Sequence, residues 1–294
     1  MSGTALLQAV VFGVLTGGVY ALMAAGLSLV FGVMDVINIA QGALVVLGAY
    51  LSFELSVHLG IDLLVGLLIT VPVFFLLGVA IEWCFMRRIR EGDRTSMSIL
   101  VTYAVAIIIE GVLSKIYGID FQQLHASYVD QSVHVFGFYL PYIYLLGFGL
   151  AVVLLAGIYV MLYRTKFGRA VRASLQNRTA ADLIGINVSR TRTISVGIGV
   201  AVTAVGGMVF GATTAFNPNS GYDLISRLLA IVVLGGLGSV GGAMAAAVFM
   251  LVVNDVVAVE WSPTWAPLVF FVALVIVLSF RPQGLFGRSA VRAQ

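Results

Sequence analysis

Two amide side chains, Asn38 and Gln41, interrupt an otherwise apolar stretch of this chain. Residues three or four positions apart share one face of a helix, so both amides can act on the same molecule. They can hydrogen-bond a polar solute, or equally a polar group on a neighbouring helix. The interruption covers residues 32–42 (GVMDVINIAQG) and ends at Gly42. The pattern predicts a solute pathway lined by Asn38, Gln41 and Gly42, with helix–helix packing as the alternative.

A second interruption spans residues 234–242 (LGGLGSVGG), which hold five glycines in nine positions. The apolar run before it covers about 15 residues, roughly 22 Å as a helix, which is too short to cross a bilayer alone. Broken helices are tolerated at membrane depth where protein or a water-filled cavity covers the freed backbone. Two interrupted segments of this kind point to a transport pathway. The pattern therefore adds four residues to the predicted pathway, while close helix packing remains the alternative: Gly235, Gly236, Gly238 and Ser239.

The segment from Arg164 to Arg192 is strongly basic, with seven of the chain's 16 Lys and Arg residues. Within it, Thr179 and Asp182 have the spacing of a capping box, and Gly185 can end a helix in the left-handed conformation. These signals predict a short helix of one or two turns. Because so short a helix is not stable alone in water, it must be held by packing, and we expect it to dock a partner.

Composition indicates the class of protein. Of the 294 residues, 61% are hydrophobic and only 10% are charged, and the mean hydropathy is +1.08. A membrane-spanning helix needs about 20 apolar residues. The predicted fold class is therefore all-α, a polytopic membrane protein with about eight to nine membrane segments, including broken or re-entrant helices, and a short cytoplasmic helix. The apolar runs fall at about 6–30, 36–57, 62–86, 96–118, 138–162, 193–215, 224–239, 241–258 and 265–281.

Charged loops orient these runs, since short loops rich in Lys and Arg stay on the cytoplasmic side. Loops 87–94 and 164–192 and the tail from Arg281 are therefore predicted to be cytoplasmic. Loop 118–137 contains Asp residues and no Lys or Arg. We expect this loop to be external, together with the N-terminus.

Few side chains suit other chemistry. Glu82 lies in an apolar run, where a charge is usually paired, and we expect it to pair with Arg87 or Arg88. The three His residues lack metal-ligand spacing, so neither a metal site nor a catalytic residue is predicted. The single Cys84 rules out an internal disulfide.

Four stretches resemble the LivH-type permease of ATP-binding-cassette importers for branched-chain amino acids, and the likeness covers nearly the whole chain. They are GLSLVFGVMDVINIAQGALVVLGAY from Gly26, FGRAVRASLQNRTAADLIGIN from Phe167, VLGGLGSVGGAMAAAV from Val233 and RPQGLFG from Arg281. The element from Thr179 to Gly185 resembles the importer "EAA" loop, glutamate-alanine-alanine followed by a glycine, with Thr179 in place of the usual Glu. In that family the loop forms the coupling helix seated on the ATPase. The ATPase-coupling residues expected here are Arg169, Arg172, Thr179, Ala180, Ala181, Asp182, Leu183, Gly185, Ile186 and Asn187.

The resemblance implies that residues 1–294 form one importer membrane domain. It would move a small polar solute, a branched-chain or other hydrophobic amino acid, from a binding protein to the cytoplasm. The implied partners are a second permease subunit (LivM-like or a second copy), two cytoplasmic ATPase subunits, an external solute-binding protein and the bilayer of the bacterial cytoplasmic membrane, with no nucleic acid. No cofactor and no enzymatic activity are expected on this chain, which has no G-x-x-x-x-G-K-[ST] phosphate loop. ATP and Mg would bind to the partner ATPases.

Two other classes remain open. An ATP-independent secondary transporter or solute channel would share the broken helices, but would not need a capped helix in a basic loop. An intramembrane protease would use Ser239 as its nucleophile. All three His residues precede Ser239 and fall in predicted external segments, so no base is evident at membrane depth.

Overall fold

The computed structural model describes residues 3–34, 36–89, 94–126, 128–129, 131–135, 138–281 and 283–287. Three arginines of the loop 87–94 and the tail from Arg281, both predicted to be cytoplasmic, lie outside the described residues: Arg90, Arg288 and Arg292.

The described residues are almost entirely helical. The helices are α1 (Gly3–Met34), α2 (Gln41–Val57), α3 (Leu63–Cys84), α4 (Arg94–Tyr117), α5 (Tyr142–Arg164), α6 (Lys166–Gln176), α7 (Arg178–Leu183), α8 (Val188–Thr213), α9 (Gly221–Gly235), α10 (Val240–Glu260) and α11 (Ala266–Phe280). Two short 3₁₀ turns lie at Met86–Arg88 and Pro218–Ser220. Strands β1 (Ser132–Val135) and β2 (Phe138–Pro141) pair antiparallel between α4 and α5.

Each predicted apolar run coincides with one of these helices. Six of them, α1, α3, α4, α5, α8 and α10, are long and apolar enough to cross a membrane. The helices α2, α9 and α11 are shorter, with 17, 15 and 15 residues. The predicted fold class, a multi-pass all-α membrane protein, is confirmed.

The helices α1 and α8 lie at the centre of the bundle. In α1, 67% of the apolar span is buried inside the chain, and in α8 83%, against 28–33% in the other four long helices. Small residues allow this close packing. A Cβ on Gly13 of α1 would lie 2.5 Å from the Cα of Val252 in α10, and a Cβ on Gly207 of α8 would lie 2.3 Å from the carbonyl oxygen of Val45 in α2.

The basic segments gather at one end of the bundle. Arg172 of α6 donates to the carbonyl of Leu162 at the end of α5 (2.9 Å). Arg178 of α7 donates to the carbonyl of Val33 at the end of α1 (3.4 Å). We define the basic end as residues 85–89, 164–192, 236–239, 281 and 283–287. The opposite end comprises the described residues of 58–62, 118–141, 214–220 and 261–265.

The carboxylate of Glu82 has a partner other than the one predicted. Its side chain is completely buried (0% exposed), and its Oε1 lies 2.7 Å from Nη2 of Arg192 in α8. The hydroxyl of Thr193 donates to its Oε2 (2.8 Å). The predicted pairing with Arg87 or Arg88 is wrong, because α3 and α8 pack side by side and the neighbouring helix supplies the cation inside the bundle.

Candidate functional sites

The chain leaves helical geometry between α1 and α2, as the interrupted sequence predicts. Residues 36–38 have no regular structure, and a turn at 39–40 leads into α2. The fully buried Thr102 of α4 holds this backbone: its hydroxyl accepts from the N–H of Ile39 (3.2 Å) and lies 3.3 Å from the carbonyl oxygen of Ile37. A broken backbone in a membrane requires such partners. Thr102 is not among the residues predicted from the sequence, although its position four residues after Ser98 in an apolar run was an available signal.

The two amides after this break contact each other. Asn38 is 4% exposed and Gln41 is fully buried. Nδ2 of Asn38 donates to Oε1 of Gln41 (3.3 Å). Among the described residues, neither Oδ1 of Asn38 nor Nε2 of Gln41 has a hydrogen-bond partner. Leaving a buried polar group unpaired costs about 1–3 kcal/mol, which a polar solute between the amides would recover.

The first turns of α2 and α9 lie side by side next to this pair. A Cβ on Gly42 would lie 2.1 Å from the carbonyl oxygen of Gly221, the first residue of α9. On the other side, Gly26 of α1 contacts Gly199 of α8, and a Cβ on Gly26 would lie 3.5 Å from Nε2 of Gln41. The positive ends of two helix dipoles therefore meet beside the amides, an arrangement that favours a carboxylate or another electron-rich group.

The glycine-rich turn between α9 and α10 lies elsewhere, at the basic end. Gly236 and Gly238 have φ values of +96° and +79°, which favour glycine. A Cβ on Gly236 would lie 2.4 Å from the backbone nitrogen of Gly287, so the C-terminal segment packs directly on this turn. Ser239 caps α10, its Oγ accepting from the N–H of Gly242 (3.2 Å). The structure thus separates the predicted pathway residues into two groups. Asn38, Gln41 and Gly42 lie at the break before α2, whereas Gly235, Gly236, Gly238 and Ser239 lie at the turn between α9 and α10. Close packing and helix capping account for the residues of this turn.

One face of α9 is polar and partly exposed. Tyr222 is 44% exposed, and the side chain of Asp223 is 66% exposed. Ser226 is half-buried, and Arg227 lies 2.9 Å from Asp223 in an ion pair. Polar side chains in membrane segments face a partner or an aqueous cavity rather than lipid. This face is not among the features predicted from the sequence, although the four-residue spacing of Tyr222 and Ser226 was a signal for it.

At the basic end, α6 precedes the predicted coupling helix. Thr165 caps α6, its Oγ1 accepting from the N–H of Gly168 (3.0 Å). Arg172 points inward, where it binds the end of α5 and lies 5.0 Å from the ring centroid of Tyr163. Arg169 is exposed. Of these two predicted coupling residues, Arg172 therefore anchors α6 to the bundle and Arg169 faces the surroundings.

The predicted short coupling helix exists as α7, but its N-cap is Asn177. Oδ1 of Asn177 accepts from the N–H of Ala180 (3.0 Å). The predicted capping box from Thr179 to Asp182 is wrong, because α7 begins at Arg178 and Thr179 is already within its first turn.

The C-terminal end of α7 follows the prediction. Gly185 has φ +84°. Its N–H donates to the carbonyl of Asp182 (3.0 Å), and the N–H of Ile186 donates to the carbonyl of Ala181 (3.0 Å), the two bonds of a Schellman motif. Asn187 then caps α8 by accepting from a backbone N–H of its first turn (2.8 Å). The helix α7 is therefore fixed at both ends.

The tip of α7 is apolar and uncovered. Leu183 is 83% exposed and Ile184 is 74% exposed, whereas Ala181 on the inner side is 2% exposed. Fully burying a Leu or Ile side chain contributes about 1.5–3 kcal/mol. Leu183 and Ile184 therefore form an exposed apolar patch on a basic segment, and burying this patch against a partner would be favourable.

Comparison with known proteins agrees with these features. The family model described as the permease component of the branched-chain amino acid transport system matches residues 9–278. The high-affinity branched-chain amino acid transport permease BraD of Pseudomonas aeruginosa is 29% identical, with 97% of each chain covered. LivH of Escherichia coli, described in the same words, is 29% identical over 97% of this chain and 96% of its own. The autoinducer 2 import permease LsrC of Klebsiella pneumoniae is 35% identical over 41% of this chain and 37% of its own.

The matched proteins are permease subunits of import systems rather than enzymes. They favour an importer over the ATP-independent transporter or channel that the sequence left open. Ser239 is used as a helix cap, and the family match assigns no protease activity. This chain belongs to the family of permease components of branched-chain amino acid transport systems.

Proposed function

We propose that this chain is one of two membrane subunits of an ATP-driven importer for a branched-chain or other hydrophobic amino acid in the bacterial cytoplasmic membrane. The observation that carries the proposal is the exposed pair Leu183 and Ile184 at the tip of α7. A doubly capped helix that presents apolar side chains outside the apolar spans fits a groove on a partner protein. For a permease component, that partner is the ATPase, which binds the ATP and Mg. The names of BraD and LivH support the substrate class.

Contacts of residues 164–192 explain how a movement of the ATPase subunits would be transmitted to the membrane-spanning helices. Arg178 ties α7 to Val33 at the end of α1, Arg172 ties α6 to α5, and Asn187 links α7 to α8. Closure of the ATPase pair would therefore shift the end of α1, which leads directly into the break before Asn38. Transport coupling is then a differential stabilisation of two arrangements of the spans by ATP.

Asn38 and Gln41 are the residues proposed to recognise the solute. Support comes from their burial, their unpaired amide atoms and the two helix N-termini beside them. Ile225, which lies against Gly42, adds an apolar contact for a hydrophobic side chain. The solute's carboxylate would take the place of water at the helix ends.

The second permease subunit, LivM-like or a second copy, would cover the polar face of α9 formed by Tyr222, Asp223 and Ser226. An external solute-binding protein would deliver the solute at the opposite end, which carries the β1–β2 hairpin. These assignments require the basic end to be cytoplasmic. On a Cys84→Ser background, an impermeant thiol reagent applied to intact cells should label Asp120→Cys and leave Asp182→Cys unlabelled. The reverse pattern would contradict the orientation.

Uptake by an Asn38→Leu variant tests the solute site. We expect uptake to be lost while the complex still assembles and its ATPase still hydrolyses ATP. Gln123→Leu likewise replaces an amide with leucine, at an exposed position of the opposite end, and should transport normally. If Asn38→Leu instead prevents assembly and shows no separate uptake defect, the amides serve helix packing and the pathway assignment is wrong.

Co-purification tests the energy source. Purification of the chain from native membranes should recover ATPase subunits. A chain that transports in vesicles without any ATPase would contradict the proposal and restore the ATP-independent alternative.

A further inference from the structure

A cavity of about 1020 Å³ opens at the basic end between α1, α5, α6 and α10. Its wall is mainly apolar and aromatic, with Leu29, Ile158, Tyr159 and Met244 among the lining residues. Among all the described residues that line the cavity, none is acidic. The volume is at the upper limit of ligand pockets, so it suits a large amphipathic molecule better than a single amino acid. The lack of a carboxylate leaves nothing to bind an ammonium group, which also argues against an amino acid.

The polar groups at this cavity favour an anion. Arg169 and Arg172 of α6 line it, and Arg172 uses part of its guanidinium on the end of α5. A guanidinium has five N–H donors, so further donors remain for a ligand. The N-terminus of α10 also lines the cavity, through Ser239, Val240 and Gly241. This 21-residue helix places the positive end of its dipole there.

A buried hydroxyl provides a second, independent sign of a ligand. Ser28 of α1 is 0% exposed and lines the same cavity, yet its Oγ has no hydrogen-bond partner among the described residues. It lies one helical turn further from the basic end than Gly32, which also lines the cavity. An unpaired hydroxyl at this depth is costly unless a ligand supplies an acceptor.

We propose that this cavity binds an anionic phospholipid of the cytoplasmic leaflet. Arg169, Arg172 and the first turn of α10 hold the phosphate, the acyl chains lie along the apolar wall, and Ser28 donates to an ester carbonyl of the glycerol backbone. Basic pockets between membrane helices at the cytoplasmic surface are suited to such lipids. The choice of leaflet rests on the orientation in the proposed function. A bound lipid would brace α6 against α1 and α10, and so would support the coupling helix that follows it.

Native mass spectrometry of the assembled permease complex tests this inference. The purified complex is titrated with phosphatidylglycerol, with phosphatidylcholine of the same acyl chains, and with soluble glycerol phosphate. We expect preferential retention of phosphatidylglycerol, about fivefold weaker in Arg169→Gln, because each basic residue near a membrane surface contributes about 1 kcal/mol. Ser28→Ala should also weaken retention. Arg190→Gln is the matched control, since this exposed arginine of α8 does not line the cavity.

The outcomes separate a lipid from other sources of the same chemistry. Equal affinity of Arg169→Gln and Arg190→Gln for phosphatidylglycerol would overturn the site. Wild-type affinity in Ser28→Ala would overturn the placement of the lipid in this cavity. Displacement of phosphatidylglycerol by an equal concentration of glycerol phosphate would show a small-anion site instead. Because the readout is lipid retention, these results do not depend on whether the proposed amino acid is the transported solute.

Discussion

Replacing Leu183 with aspartate should detach the ATPase subunits without unfolding the membrane domain. Leu183 is 83% exposed, so the chain itself uses little of its apolar surface. Full burial of a Leu side chain contributes about 1.5–3 kcal/mol, and the exposed share can therefore contribute about 2 kcal/mol to docking. Aspartate would lose this contribution and leave a carboxylate desolvated in the contact, at a further cost of about 1–3 kcal/mol. The sum of about 3–5 kcal/mol corresponds to more than hundredfold weaker association.

The assay measures the fraction of ATPase that co-purifies with the tagged permease, together with uptake and the melting temperature of the membrane domain. Ile119→Asp is the matched control: Ile119 is 71% exposed and lies at the opposite end. It should retain the ATPase, and both variants should melt close to wild type. If Leu183→Asp keeps the ATPase bound and transport normal, the tip of α7 is a solvated surface and the coupling argument fails.

Three further predictions concern caps and the buried ion pair. Asn177→Ala should destabilise α7 by about 1 kcal/mol and weaken ATPase retention, whereas Thr179→Ala should not; equal effects would contradict the observed N-cap. Gly185→Val forces a β-branched residue to positive φ in otherwise open space, so ATPase retention should fall while the melting temperature of the spans stays unchanged. Glu82→Ala leaves the largely buried guanidinium of Arg192 unpaired and should cost about 3 kcal/mol in a thermal unfolding assay, whereas the exposed Glu260→Ala should cost little.

The short helix α7 was predictable in kind because its signals are local. A six-residue helix ending at a left-handed glycine depends on backbone preferences within a few positions, and α7 with Gly185 follows them. Its beginning was not predictable to the residue. Asn177 and Thr179 are both acceptable N-cap residues. In the structure α7 begins at Arg178, with Ala181 buried and Arg178 in contact with the end of α1.

Among the described residues, the nine apolar helices, the break before α2 and the basic residues at the helix ends were all predictable from the sequence. Apolar length and local interruptions follow from hydrophobic transfer and from backbone geometry, which act within one segment. Which side chains meet, in contrast, depends on how the helices pack. Thr102 holds a backbone 63 residues away, and Glu82 pairs with an arginine 110 residues away. The partly exposed polar face of α9 and the unpaired hydroxyl of Ser28 likewise depend on packing. The partners of a side chain are set by the neighbouring helices rather than by the helix that carries it.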